Sequence, residues 1–311
     1  MSMKINRRKF IASTSLSATG IVLGSAIIPG CSQGKSDVRI SYDIMKDVMK
    51  YRKIDAHAHP GPDLARQLEI ADRLGIEKVQ ISNPVTNFSG KESEGPEVVR
   101  KNNDVIVNAV KKYPDRFIGF FTLNPLFQKE SMEEIKRCVD LGLVGYKGYT
   151  QAKINNPVYY PIIEKLIEQK MIVFMHTFCQ LGMGGYRMKY DTGRFPFTTL
   201  AEDMVDSATR YPEAIFHFAH IGGGGDWEYE CKMLKQCQNI YVDTGGSNNE
   251  ENIVDFAISH LGEERIFFGT DGAYIHGVGR VLSSGATEDQ KRKIFYGNYA
   301  RVLKKGGYNV G

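Results

Sequence analysis

Two histidines with one residue between them are the first candidates for chemistry in this chain: His57 and His59, in the run Asp55-Ala-His57-Ala-His59-Pro60. Side chains alternate between the two faces of a strand, so histidines two positions apart share a face. Imidazole is a preferred ligand of zinc and other borderline transition metals. A lone histidine is more often structural, but this pair at the end of an apolar strand predicts two ligands of one metal ion.

Three further polar residues directly follow apolar runs elsewhere in the chain: His176, His220 and Asp271. Each run is rich in β-branched and aromatic residues and predicts a strand. A carboxylate that ends an apolar strand is costly to bury unpaired, and a metal ion or a histidine would compensate it. His217 lies three positions before His220, so strand alternation predicts that it faces the opposite side and is structural.

The elements that must position these residues alternate between short apolar strands and amphipathic helices. The predicted strands lie near residues 52–57, 76–81, 117–122, 143–147, 171–175, 214–219, 239–243 and 265–269. The predicted helices lie near residues 62–74, 96–112, 129–140, 157–169, 198–210, 227–237, 250–261 and 286–304. Eight strand–helix units predict an α/β fold, a single (β/α)₈ TIM-barrel domain over residues 51–308, with a doubly wound open sheet as the alternative.

At these positions the sequence resembles the amidohydrolase superfamily. The resemblance is to its amidohydrolase-2 group, which includes aminocarboxymuconate-semialdehyde decarboxylase-like and lactonase-like enzymes. The motifs that carry it are Ile54-Asp55-Ala-His57-Ala-His59, His176, Arg210-Tyr-Pro-Glu213, Ala219-His220-Ile-Gly-Gly223, Ile240-Tyr-Val-Asp-Thr244, Gly269-Thr-Asp271 and Gly297-Asn-Tyr-Ala300. Each motif is weak alone, but all of them occur in order and at suitable intervals.

The resemblance implies a metal-dependent enzyme on a TIM barrel. By position, one divalent ion would be held by four ligands: His57, His59, His176 and Asp271. Zn²⁺ is the expected ion and Mn²⁺ is the alternative. Asp271 would also take the proton of a bound water, whose pKa a metal can lower to about 7. His220 would be a second catalytic residue beside the ion.

Three basic residues are candidates for binding an anionic substrate: Lys147, Arg187 and Arg194. Lys147 ends the fourth predicted strand, and the two arginines lie in the long loop after the fifth. Basic side chains there could receive a substrate carboxylate. For Lys147, a structural role and carboxylation to bridge two metal ions are the alternatives, and for the arginines the alternative is a solvated loop.

The expected reaction is hydrolysis of a lactone, ester or amide in a small-molecule substrate, by a metal-activated water with Asp271 as base. The first alternative is non-oxidative decarboxylation of a small carboxylic acid on the same metal site. The second is a lipid-anchored binding protein that has lost its activity. The resemblance also implies a homodimer.

The first 30 residues have the layout of a bacterial signal peptide, with basic residues followed by a short apolar stretch. Asn6-Arg-Arg-Lys-Phe-Ile11 resembles a twin-arginine export motif. Ile28-Pro-Gly-Cys31 resembles a lipobox, which predicts a lipoprotein lipidated on Cys31, with residues 31–50 as tether and N-terminal helix. We therefore expect export to the periplasm and membrane attachment only through the lipid.

The charge of the chain without this leader argues against a nucleic-acid partner. The whole chain carries a formal charge of +4, and residues 1–30 contain four basic and no acidic residues. The remainder is therefore balanced, and no basic face is expected. The cysteines beyond Cys31 follow no zinc-finger spacing, and free buried thiols are the expectation.

Overall fold

Eight strands form the centre of this computed structural model. They are β1 Lys53–Ala58, β2 Ile76–Ile81, β3 Phe117–Phe121, β4 Gly145–Gly148, β5 Ile172–Met175, β6 Ile215–Phe218, β7 Ile240–Asp243 and β8 Ile266–Phe267. Each strand is parallel to the next in chain order within one sheet. Ala56 N donates to Phe268 O at 2.8 Å and so joins the last strand to the first. This order confirms the predicted (β/α)₈ barrel and excludes a doubly wound sheet.

The structure describes residues 43–84, 95–177, 197–221, 227–246 and 250–311. Several predictions fall outside these ranges: the signal peptide, Cys31, Arg187 and Arg194. Residues 43–311 make up one compact unit. Within the described ranges, no helix is long and apolar enough to cross a membrane.

Among the described residues, one helix precedes the first strand, and the others lie between the strands or after the last one. They are α1 Ile44–Met49, α2 Leu64–Arg73, α3 Pro96–Lys112, α4 Gln128–Asp140, α5 Tyr160–Glu168, α6 Ala201–Arg210, α7 Trp227–Leu234, α8 Ile253–Leu261, α9 Tyr274–Ser283, α10 Glu288–Arg292 and α11 Asn298–Lys305. Short 3₁₀ turns occur at Pro157–Tyr159 and Glu263–Arg265, and a π-helical turn spans Lys293–Gly297.

Local sequence explains where the helix after β1 begins and which face it buries. The side chain of Asp63 accepts hydrogen bonds from the first free backbone N–H groups of α2, those of Ala65 and Arg66. Such a cap stabilises a helix start by about 1 kcal/mol. Leu68 and Ala71, three positions apart, then lie on the buried face towards the sheet.

The barrel has an apolar layer on each side of its wall. Ile118 and Phe120 of β3 belong to the cluster inside the barrel, whereas Phe117 and Phe121 of the same strand belong to the cluster beneath the helices. This alternation follows from the two-residue repeat of a strand. The strands are therefore held rigidly on both faces, which fixes the side chains at their carboxyl ends.

The segment after β8 differs from the sequence prediction. Helix α9 was not predicted, because Gly277 and Gly279 interrupt its apolar pattern. The predicted helix 286–304 is real, but the π-helical turn divides it into α10 and α11. Glycine is among the weakest helix formers, so α9 depends on tertiary contacts such as those of its buried Val278 and Val281.

Candidate metal centre

A bulge near the end of β1 places the first pair of candidate ligands. Between Asp55 and Ala58 strand β1 advances by three residues while β2 advances by two. The extra residue bends the strand, as bulges next to active sites commonly do. The side chain of His57 is completely buried in the barrel, whereas that of His59 is 30% exposed at the mouth.

Left-handed backbone turns place two further side chains. His220 has φ +59° and Asp271 has φ +51°, in a region that residues other than glycine seldom adopt. Asp271 N donates to His57 O at 2.7 Å, which holds the turn after β8 against the end of β1. Both turns direct their side chains towards one another, and His220 Nε2 lies 3.3 Å from Asp271 Oδ2.

The carboxylate of Asp271 is the centre of this cluster. Its Oδ1 lies 3.4 Å from His57 Nε2 and 3.2 Å from His59 Nε2. One atom from each of these three residues lies within 4.8 Å of the others, a spacing at which they could hold one metal ion. The structure thus brings together three of the four predicted ligands, and it places His220 beside them.

The hydrogen bonds on the far side of two imidazoles fix their tautomers. His59 Nδ1 lies 2.7 Å from Ser82 O, and His220 Nδ1 lies 3.0 Å from Thr177 O. A carbonyl oxygen only accepts, so Nδ1 of each ring carries the hydrogen. In the neutral rings, Nε2 then presents a lone pair to the carboxylate of Asp271.

His57 is oriented in the same way by two charged neighbours. Its Nδ1 lies 3.1 Å from Asp243 Oδ2, which can only accept, and its Nε2 lies 3.2 Å from Lys147 Nζ, which donates. Burial, together with the charge of Lys147, lowers the pKa of His57 to about 3, so the ring is neutral. Its Nε2 is therefore also an acceptor.

The resulting arrangement fits a divalent cation. The Nε2 atoms of His59 and His220 turn lone pairs towards one carboxylate, and such acceptors repel each other unless a cation lies between them. His220 Nε2 is buried and has no hydrogen-bond partner among the described residues. Imidazole nitrogen and carboxylate oxygen are ligands of Zn²⁺, and imidazole and carboxylate also suit other divalent transition ions.

The charge state of Asp271 suits the same role. Burial acts to raise the pKa of its carboxyl group, but hydrogen bonds from His220 and His59, which Nε2 donates only when the ring is protonated, outweigh burial and hold that pKa well below the usual range. The group is therefore an anion at neutral pH. An ionised carboxylate, rather than a carboxylic acid, is what a metal ion requires as ligand.

Lys147 lies against this cluster. Its side chain is fully buried, and Nζ stands 3.3 Å above the ring of Phe174. Burial lowers the pKa of Lys147 to about 7, against the opposing charges of Asp243 and Asp271. A titratable amine next to a metal-type cluster is a feature of functional sites rather than of ordinary cores.

His176 follows β5 as predicted and lies next to the cluster, with its ring centroid 4.8 Å from that of His220. Its ring also stacks on Tyr149 at 5.9 Å. Among the described residues it is not one of the three whose ligand atoms lie within 4.8 Å of one another. Its role as fourth ligand stays a prediction.

The prediction for His217 was wrong about its direction. The ring lies inside the barrel, stacked on Phe174 at 3.7 Å, and Nε2 lies 2.9 Å from Asp243 Oδ2. The left-handed turn at His220 breaks strand alternation, so both histidines point inwards. Sequence reasoning gave Asp243 no role, although it ends the seventh apolar run just as Asp271 ends the eighth.

Known proteins match this chain over most of its length. An amidohydrolase family model matches residues 54–305. The gamma-resorcylate decarboxylase of Rhizobium radiobacter is 31% identical over 289 residues, which cover 78% of this chain and 87% of that protein. The 2-amino-3-carboxymuconate-6-semialdehyde decarboxylase of Dictyostelium discoideum is 24% identical over 293 residues, which cover 84% of this chain and 81% of that protein.

A solved structure shares the fold. The dihydroxybenzoic acid decarboxylase of Polaromonas sp., with bound manganese and the inhibitor 2-nitroresorcinol, superposes with a TM-score of 0.64 at 19% identity. The superposition covers 82% of this chain and 97% of that one. This likeness supports the barrel, and the bound manganese in that protein shows that the fold can carry a divalent ion.

Proposed function

Because this chain belongs to the amidohydrolase family, whose relatives above are enzymes, we propose that it is a metal-dependent decarboxylase of a small carboxylic acid. The observation that carries the proposal is the meeting of two features in one site. A cluster of His57, His59 and Asp271 suits one divalent ion. The buried amine of Lys147 adds a hydrogen-bond donor directly beside it and, when protonated, a second positive centre.

His57, His59 and Asp271 hold the metal ion in this proposal, and His176 completes the set from β5. When bound, a divalent ion acts as a Lewis acid that draws anionic substrate oxygens into the site. Either Mn²⁺ or Zn²⁺ fits the nitrogen and oxygen ligands. The remaining functions of the site belong to side chains of the chain itself.

Lys147 binds the carboxylate group of the substrate. An ammonium group without water around it attracts an anion more strongly than an exposed one does, because the local dielectric constant is low. The 3.2 Å between Nζ and His57 Nε2 places this charge at the edge of the metal cluster. An acid whose carboxylate binds there has its carbon–carboxylate bond at the edge of the metal cluster.

His220 delivers the proton that replaces the carboxylate group on the substrate carbon. Decarboxylation breaks the bond between the substrate carbon and its carboxylate, CO₂ leaves, and the electron pair stays on the carbon until it takes one proton. His220 Nε2 faces the cluster, while Nδ1 stays fixed on Thr177 O at 3.0 Å. Nε2 can therefore take a proton from solvent and deliver it to that carbon, as general acids do over hydrogen-bond distances.

Hydrolysis was the first expectation from the sequence, and the comparisons favour the alternative. Both curated relatives described above are named as decarboxylases, and the nearer of these two in identity acts on gamma-resorcylate by its name. The ligands needed for the two reactions are shared, so the site alone does not separate them. Hydroxybenzoic acids are accordingly the first substrates to test.

The test is a paired assay on protein reconstituted with Mn²⁺ or Zn²⁺. One arm supplies hydroxybenzoic acids such as 2,6-dihydroxybenzoate and measures CO₂; the other supplies lactones and esters and measures acid release. We expect CO₂ release that depends on the metal ion and stops with chelator. Metal-dependent acid release without any CO₂ from the acids would contradict the proposal and restore hydrolysis.

A further inference from the structure

Asp243, at the end of β7, accepts hydrogen bonds from three different parts of the barrel. Oδ2 lies 3.1 Å from His57 Nδ1 and 2.9 Å from His217 Nε2, and Oδ1 accepts from Gly245 N at 2.7 Å. The side chains of Asp243, His57 and His217 are completely buried. Burial of a carboxylate is tolerable only with such a full set of donors.

Two glycines make room for this carboxylate. A Cβ atom added at Gly245 would lie 2.6 Å from Asp243 Oδ1, and one added at Gly269 would lie 2.8 Å from it. Real Cβ atoms essentially never make contacts this short, so a larger residue at either position would displace the carboxylate. The place of the Asp243 carboxylate is therefore built into the strand ends on both sides.

Among the described residues, His217 has no side-chain hydrogen bond besides the one to Asp243. Its Nδ1 has no hydrogen-bond partner among the described residues, and its ring lies between Phe174 and Phe267, at centroid distances of 3.7 Å and 5.1 Å. It lies outside the group of described residues that could share a metal ion. A phenyl ring would fill this apolar place at a lower cost of burial, so the donor at Nε2 is what distinguishes histidine here.

We propose that His217 is a positioning residue that acts on the metal centre through Asp243 and His57. By donating from Nε2, it holds Asp243 Oδ2 in the direction that receives the Nδ1 hydrogen of His57. His57 is thereby held in the tautomer and ring orientation that presents Nε2 to the ion. The effect of His217 on metal binding rests on the proposed function, whereas the positions of the ring hydrogens do not.

Two substitutions separate the donor from the ring. His217→Phe keeps the stacking on Phe174 and removes the donor, whereas His217→Gln replaces the ring with an amide that can donate to Asp243. Losing the outer partner of a metal-binding histidine typically weakens metal affinity by about 10–100-fold. We expect that loss of Mn²⁺ affinity by calorimetry in H217F, and a loss below about tenfold in H217Q.

A second measurement needs no metal ion. Nitrogen-15 NMR of the metal-free protein reports which ring nitrogen of each histidine carries hydrogen. We expect hydrogen on Nδ1 of His57 and on Nε2 of His217, and a mixture of His57 tautomers in H217F. A merely structural role of His217 would leave the His57 tautomer unchanged in H217F.

The outcomes decide between the claims. Hydrogen on Nε2 of His57 in the unsubstituted protein would overturn the inference, and so would unchanged Mn²⁺ affinity in a folded H217F. If H217F does not fold, H217Q and the NMR spectrum of the unsubstituted protein still test the inference. Mn²⁺ affinity more than tenfold weaker in H217Q would contradict the role given to the hydrogen bond from His217. If no form of the protein binds Mn²⁺ or Zn²⁺ but the tautomers are as expected, the metal centre fails and the orienting chain stands.

Discussion

At the scale of single residues, hydrogen bonds on the outer side of each imidazole determine what its inner side can do. Ser82 O and Thr177 O hold the hydrogens of His59 and His220 away from the site. The lone pairs that remain all face Asp271, which is itself an anion. A cluster of hydrogen-bond acceptors does not stabilise a fold by itself, but it is suited to bind a metal ion.

Asp271→Asn removes the charge at the centre of the cluster. We expect turnover to fall by more than about 100-fold, because an amide is a far weaker metal ligand than a carboxylate. The metal-free variant should keep its fold and unfold no earlier than the unsubstituted protein, since the lost carboxylate faces lone pairs. Steady-state assays and thermal unfolding in chelator check both parts, with the exposed substitution Asp289→Asn as control. Full activity in D271N would remove Asp271 from the mechanism.

Lys147→Met tests the anion contact. We expect KM for the carboxylic acid to rise roughly 10–100-fold, as loss of a hydrogen bond to a charged group does, with a smaller change in kcat. Thermal stability should not fall, because an apolar side chain replaces a buried amine. Lys112→Met, on the exposed surface, is the matched control. If two metal equivalents per chain were lost with Lys147, the bridging alternative would be correct instead.

At the scale of elements, polar links hold neighbouring helices in register around the barrel. Glu134 of α4 accepts from Asn103 Nδ2 of α3 at 2.9 Å and from Arg137 Nε at 2.8 Å. Arg137 in turn donates to Asp104 of α3 at 2.7 Å. Burial acts to raise the pKa of Glu134, but Arg137 and Asn103 outweigh it and hold that pKa below its ordinary value of 4.5.

Glu134→Gln should therefore destabilise the protein in a pH-dependent way. We expect a loss of about 1–3 kcal/mol in the free energy of unfolding at pH 7. A pKa lowered by folding gives stability that is present above 4.5 and lost as pH falls through the folded value, so the loss should shrink in acid. Urea unfolding at several pH values measures it, with exposed Glu133→Gln as control. A loss that stays constant down to pH 3 would contradict this account.

Elements were predictable where a local pattern sets them. Short runs rich in β-branched and aromatic residues identified all eight strands, and the continuous apolar run 171–175 is typical of a strand buried on both faces. Helix α9 was missed because tertiary packing stabilises it against its glycines. The role of Asp243 was missed because its partner His57 lies 186 residues away. The inward direction of His217 was missed because no sequence pattern predicts the left-handed backbone turn at His220.

At the scale of the whole molecule, the site joins the first and last strands of the barrel. Asp55 of β1 accepts from Thr270 N at 3.0 Å and from Thr270 Oγ1 at 2.5 Å, just after β8. Burial raises the pKa of Asp55 to about 8 in spite of these bonds. Since ligands come from both ends of the chain, binding of an ion should stabilise the closed barrel as a whole.

Metal removal should therefore lower the unfolding temperature of the entire protein. An ion at about 100 times its dissociation constant adds about 2.7 kcal/mol, which corresponds to a rise of roughly 5–10 °C in Tm for a domain of this size. Calorimetry with chelator and after addition of Mn²⁺ measures the difference. D271N should show little of this rise, and an equal rise in D271N would place the ion elsewhere.

The most direct test of the central claim is anomalous X-ray diffraction from crystals grown with Zn²⁺. We predict one peak at the zinc edge, about 2.0–2.2 Å from His57 Nε2, His59 Nε2 and an oxygen of Asp271. No peak between these three side chains, or a full-occupancy peak elsewhere with these residues unligated, would contradict the account.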